Sequence, residues 1–331
     1  MVTGVLLVVS FAVMVAGAVV FTNAIEWVGV RLGLGHTAVG SVLAAVATAM
    51  PESLIPVIAV ITGGKQADPV AIGAIIGAPF LLGTLALAVC AASALAYRAR
   101  RVSPRLQPDR GTISRDLYVV LGALVLAVVV GLADSPPLRI AGAAVLVAAY
   151  VVFVWRTIAR ARQEDDTEEP PSLYFDTTKD DPPNTFQLLA QTLVGLAMLV
   201  GAAELFVTSI ERLAHGFGVD ELVLTLVIAP LATELPETIN SVTWIRQAKD
   251  TLALGNITGA MVFQSMLPVA FGLVFTDWQL TAPALLAMLA ALVGAGLSLL
   301  VLQGARSARV LVIGCWAGLY LAAIVSIIAV A

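Results

Sequence analysis

Apolar stretches of membrane-crossing length recur along the whole chain, at approximately 3–28, 37–62, 70–97, 117–134, 138–157, 184–211, 220–245, 252–274, 281–302 and 309–330. A helix needs about 20 predominantly apolar residues to cross the hydrocarbon layer. Backbone polar groups in lipid are satisfied only within helices or closed barrels, and barrel strands would be shorter and would alternate apolar with polar residues. The expected fold is an all-α polytopic membrane protein with ten transmembrane helices. Only 12% of the 331 residues are charged, about half the share in an ordinary soluble domain. Lys plus Arg number 18 against 22 acids, for a net charge of -4, so no basic domain is left to hold nucleic acid. Cys90 and Cys315 lie in apolar runs and read as small hydrophobes. No basic residue precedes the first run and no A-x-A cleavage site follows it, so it reads as a retained span rather than a signal peptide.

With the N-terminus outside, fifteen Lys and Arg residues fall in cytoplasmic loops and only Lys65, Arg139 and Arg212 in outer ones. Positive residues stay inside, so both termini are expected to face out. The acidic stretch from Gln163 to Pro183 holds eight of the 22 acids. It lacks the Gly turn and regular acid spacing of a calcium loop and reads as a solvated cytoplasmic linker. The expected organisation is an N-terminal half (1–158), the linker (159–183) and a C-terminal half (184–331), with five spans in each half.

A shift of 185 residues lays Met14–Glu52 on Leu199–Glu237 without a gap, with 12 of 39 positions identical. The matches include Phe21/Phe206, Glu26/Glu211, Gly33/Gly218, Ala47/Ala232, Thr48/Thr233, Pro51/Pro236 and Glu52/Glu237. At a shift of 182, AIGAIIGA (71–78) matches ALGNITGA (253–260). Five spans separate equivalent positions, so the second copy crosses the opposite way up. Two inverted-topology five-helix repeats are typical of secondary transporters that bind substrate near the midplane.

Glu52 and Glu237 fall near the middle of spans 2 and 7. An ionised carboxylate at that depth costs about 3 kcal/mol even on lenient scales and marks an ion or proton pathway. Pro51 and Pro236 lack the N–H that would pair with the carbonyls of Ala47 and Ala232. Thr48 and Thr233 add hydroxyl oxygens, while Gly73, Gly77, Gly255 and Gly259 would let spans 3 and 8 approach closely. Oxygen donors without imidazole or thiolate suit Ca2+, Na+ or another hard cation. Glu234 puts a third carboxylate about one turn from Glu237. Three close carboxylates cannot all stay ionised without cations, which favours proton coupling. Glu26 and Glu211, near span ends, read as structural, and neither His36 nor His215 is assigned a ligand role.

These motifs resemble those of the cation/calcium exchanger superfamily, whose sodium/calcium exchangers carry G-T-S-L-P-E and G-N-x-x-G-S-N-x-x-N, or close variants, in each of two alpha repeats. Here the first repeat (about 37–97) reads A-T-A-M-P-E from Ala47 and G-A-I-I-G-A-P-F-L-L from Gly73. The second (about 220–274) reads A-T-E-L-P-E from Ala232 and G-N-I-T-G-A-M-V-F-Q from Gly255. The resemblance implies that the two glutamates bind Ca2+ and that Gln264, at the Asn or Asp position ending the second glycine motif, completes the site. The four motif serines are replaced by Ala49, Ala78, Glu234 and Ala260, and Leu82 stands at the first-half counterpart of Gln264. Fold and exchange mechanism carry over, whereas sodium as the coupling ion does not.

The expected function is a secondary-active antiporter rather than an enzyme, without cofactors. It would export Ca2+ in exchange for H+ or Na+ from a bacterial or archaeal cell, with inorganic cations and the bilayer as partners. Sodium/proton exchange or transport of another divalent such as Mg2+ is the alternative on the same fold, and a cation channel is a further one. The two histidines supply no H-E-x-x-H for a metalloprotease. Lys65, Lys179 and Lys249 lie in loops, which leaves no lysine for a retinal Schiff base.

Overall fold

Long apolar stretches that lack internal turn signals become long helices. The computed structural model describes residues 2–31, 49–62, 67–97, 106–161, 172–176, 183–303 and 309–330, which form eleven helices. These are α1 (Val2–Arg31), α2 (Met50–Thr62), α3 (Ala67–Ala96), α4 (Arg110–Ala133), α5 (Pro136–Ala161), α6 (Thr185–Phe217), α7 (Glu221–Thr233), α8 (Leu235–Arg246), α9 (Asp250–Phe275), α10 (Ala282–Gln303) and α11 (Arg309–Val330). Eight of them, all but α2, α7 and α8, are long and apolar enough to cross a membrane.

Burial sorts these helices into layers. The most apolar window of α3 is 83% buried and that of α9 is 72% buried, against 17% for α5 and 22% for α11. Helices α3 and α9 therefore form the centre, while α5 and α11 turn apolar side chains outward, as lipid-facing helices do. Helix α9 packs on α4 and α5, α3 lies against α7 and α2, and α1 runs along α6. Two of these crossings depend on missing side chains. A Cβ at Gly77 of α3 would lie 2.5 Å from the Pro230 ring and 2.6 Å from the Leu226 carbonyl oxygen of α7. A Cβ at Gly195 of α6 would lie 2.9 Å from the Phe21 backbone of α1. Small residues at such crossings let backbones approach in a membrane bundle.

Several sequence expectations change here. The run at 220–245 is two helices, α7 and α8, parted at Glu234. Helix α4 starts at Arg110, ahead of the apolar run, because Asp109 caps it by accepting from the N–H groups of Gly111 and Thr112. Arg115, counted with the loop, is therefore helical, and its guanidinium donates to Asp116 at 2.9 Å. Asp116 is buried and also accepts from the Thr258 hydroxyl of α9 at 3.0 Å.

The linker is not solvated throughout. Leu173 is buried with Ala24, Trp27 and Leu188. Beside it, the Phe175 N–H donates to Oε1 of Gln191 at 2.9 Å and the Tyr174 N–H to Oδ1 of Asn23 at 3.3 Å. Gln191 also donates to Asn23 at 2.8 Å and to the Val20 carbonyl at 3.0 Å. Residues 172–176 thus satisfy two amides buried between α1 and α6, and burial of such groups is tolerated only when they are paired.

Candidate functional site

The break between α7 and α8 positions the acids. Proline is favoured in the first turn of a helix, where an N–H would have no intrahelical partner. Pro236 occupies that turn of α8 and Pro51 that of α2, with Glu237 and Glu52 next in sequence. Both carboxylates thus stand at helix N-termini, where the backbone dipole favours negative charge. Pro236 therefore starts a helix rather than kinking one, contrary to the sequence reading of a proline inside a continuous span, whereas the part of the first-half span before Ala49 lies outside the described residues. Pro236 has no N–H to return to the Ala232 carbonyl wherever the helix begins.

Glu234 sits in the break itself. Its N–H donates to the Pro230 carbonyl and its carbonyl accepts from the Thr238 N–H, both at 3.0 Å, so it closes α7 and opens α8. Its side chain is fully buried, with Oε1 accepting from the Thr233 hydroxyl at 3.2 Å. Thr233 is also bonded to the Ala229 carbonyl.

Gln264, on the central helix α9, joins the two halves of the chain. Its Nε2 donates to Oε2 of Glu234 at 2.9 Å and to Oε1 of Glu52 at 3.1 Å. Glu52, Glu234, Glu237 and Gln264 are each 4% exposed or less. The other oxygen of Glu52 and Oε1 of Gln264 are buried without a hydrogen-bond partner among the described residues. Among those residues no three acidic, His or Cys side chains converge as a ready metal cage. The amide group of Gln264 lies between the carboxylates of Glu52 and Glu234, and the cluster is held by hydrogen bonds.

The structure therefore brings together Glu52, Glu234, Thr233 and Gln264 from the expected set, with Glu237 buried in the first turn of α8, three residues beyond Glu234. The backbone of Ala232 lies in the last turn of α7, next to them. Ala47 and Thr48 lie outside the described residues. Gly73 and Gly77 make the close approach expected of them, against α7. Gly255 and Gly259 do not among the described residues, where nothing approaches a Cβ at Gly259 within 4 Å. The repeat pairs α7 with residues 36–48, which are outside the described set.

Sequence reasoning did not single out the support behind Glu237. Asn256 of α9 donates to the Glu237 carbonyl at 3.0 Å and to the Ser241 hydroxyl at 3.2 Å, while Ser241 donates to the Ala253 carbonyl at 2.9 Å. The signal was present as the Asn of G-N-I-T-G, whose first-repeat counterpart is Ala74. This tie therefore has no equivalent in the first half.

Comparison with known proteins agrees with this architecture. The H+/Ca2+ exchanger CAX superposes with a TM-score of 0.68 at 16% identity, over 98% of this chain and 88% of that one. The sodium-calcium exchanger NCX_Mj gives 0.61 at 20% identity, over 98% and 99%. At these identities the likeness is one of fold. A protein of Alkalimonas amylolytica that carries an antiporter name, CaxA, is 32% identical over 103 residues, which span 31% of this chain and 32% of that protein. The family model described as sodium/calcium exchanger protein matches residues 2–159 and 187–329, nearly the whole of both halves. With its apolar helices and a match of that extent, the chain is an integral membrane protein and belongs to the sodium/calcium exchanger protein family.

Proposed function

We propose that this protein is a secondary-active antiporter that exports Ca2+ in exchange for protons, from a carboxylate site shared by two inverted five-span halves. The observation that carries the reading is the bridge from Gln264 to Glu52 and Glu234. It unites acids more than 180 residues apart in sequence deep in the bundle, where an unused charge would be costly.

Ca2+ prefers six to eight hard oxygens in flexible geometry. The carboxylates of Glu52, Glu234 and Glu237, the hydroxyls of Thr48 and Thr233, and the carbonyls of Ala47 and Ala232 supply that chemistry, with the amide oxygen of Gln264. One dication or two protons cancel two of the carboxylate charges, so a loaded site would cross the low-dielectric barrier more cheaply than a bare one. Alternating access would follow from movement of one part of the bundle against the rest. Protons are favoured over Na+ because Ala49, Ala78 and Ala260 offer no hydroxyl, whereas Glu234 adds a group that can carry a proton. The N- and C-termini are placed outside and the linker in the cytoplasm by the positive-residue bias.

Flux into proteoliposomes with pH, Na+ and Ca2+ gradients imposed one at a time tests this. The expected result is Ca2+ uptake driven by an acidic interior in the absence of Na+. Uptake that needs a Na+ gradient and ignores pH would return the protein to sodium/calcium exchange, and Na+/H+ exchange indifferent to Ca2+ would remove calcium from the account.

A further inference from the structure

We propose that the side chain of Gln264 is a swivel: it donates N–H to Glu52 and Glu234 in one position and turns its carbonyl oxygen onto the transported cation in the other. The inference rests on the cation-site reading above and adds to it the way the site is loaded.

Three observations carry it. The first is location: Nε2 of Gln264 lies within hydrogen-bond distance of one oxygen from each of two carboxylates. An amide hydrogen placed there occupies the space in which a cation bridging the same two oxygens would sit, so the two arrangements exclude each other. The second is the other end of the same group. Oε1 of Gln264 is buried and has no hydrogen-bond partner among the described residues, and neither has the second oxygen of Glu52. A buried acceptor left unpaired is costly, and a hard cation is a partner that would satisfy both oxygens. The third is chemical. A glutamine amide carries donors and an acceptor on one planar end, and its terminal torsion is broad and roughly two-fold. Exchanging the two ends needs no backbone movement.

The surroundings fit a swivel better than a fixed cross-link. Gln264 is on α9, whereas its two acceptors belong to α2 and to the α7–α8 break. The amide therefore senses whether those elements bring their carboxylates together. No equivalent exists in the first half, where the corresponding residue is Leu82, the first residue of a π-helical turn in α3. A single amide thus serves both halves. The direction of its dipole distinguishes a site closed on itself from one closed on a cation, and this gives the carrier a reason not to cross unloaded.

Infrared difference spectroscopy on the reconstituted protein, with glutamine side-chain carbonyls isotopically labelled, tests the swivel by addition of Ca2+. One glutamine carbonyl band should move to lower frequency as carboxylate bands shift, and that band should be missing from Gln264→Met. In flux assays Gln264→Met should raise the KM for Ca2+ by about tenfold, the order expected for loss of one contact to a charged group. Carboxylate bands that respond while no glutamine band moves would overturn the swivel and leave the carboxylate site standing. If neither responds to Ca2+, the site reading falls and the swivel falls with it. Should Gln264→Met not assemble, the labelled wild-type band alone decides.

Discussion

Glu234 is the residue at which this protein departs furthest from the motif it otherwise follows. It stands where the family carries serine, caps two helices with its backbone, and sends a fully buried carboxylate to Thr233 and Gln264. Glu234→Ser should keep the hydroxyl chemistry of the family but remove a proton carrier. It is expected to weaken Ca2+ uptake driven by an acidic interior several-fold while leaving Ca2+ binding measurable. An unchanged response to pH would take Glu234 out of the coupling mechanism. At this scale the sequence was readable where a residue pattern occurs twice, as with T-x-x-P-E. It was unreadable where a side chain acts on a partner brought near only by folding. The bond from Asn256 to the Glu237 carbonyl and the burial of Asp116 against Thr258 are of that second kind. Periodicity within a single helix carries no record of either.

Among the elements, the break at Glu234 and the anchored linker segment were the least legible. Apolar character continues through Thr233 and Leu235, so hydropathy sees one span. The break depends on the cap at Glu234 and the proline two residues on. The linker composition suggested solvation, and composition averages away the five residues that dock. Deleting 177–182 should leave transport intact, whereas deleting 172–176 would take the Phe175 N–H from Oε1 of Gln191 and uncover the buried Leu173 contact, with Asn23 still accepting from Gln191. A buried acceptor left unpaired costs about 1–3 kcal/mol, so the second deletion should lower the thermal midpoint of detergent-solubilised protein and the first should not. Equal midpoints would mean that the docking contributes nothing. The close approach of α3 and α7 is open to a similar test. Gly77→Ala puts a methyl 2.5 Å from Pro230, and overpacking of this kind costs about 1–3 kcal/mol. It should lower the unfolding midpoint in detergent, and a midpoint equal to wild type would show that the helices can move apart at no cost.

For the whole molecule, membrane residence and the all-helical class followed directly from the length and polarity of the runs. What brings distant acids together did not, because the central places of α3 and α9 are set by packing among helices of similar hydropathy. The proposed orientation predicts that, in a Cys90→Ala, Cys315→Ala background, Thr3→Cys reacts with an impermeant thiol reagent added outside cells. Thr177→Cys should react only after the membrane is opened. The reverse pattern would invert the whole topology.

Counterflow of radiolabelled Ca2+ most directly tests whether one shared carboxylate site carries the ion. Proteoliposomes loaded with unlabelled Ca2+ and diluted into trace label should accumulate the label transiently above equilibrium. Glu52→Gln and Glu237→Gln, inserted at wild-type levels, should each abolish that overshoot. Flux without overshoot would indicate a channel, and an overshoot retained at near wild-type rate in either variant would contradict the shared site.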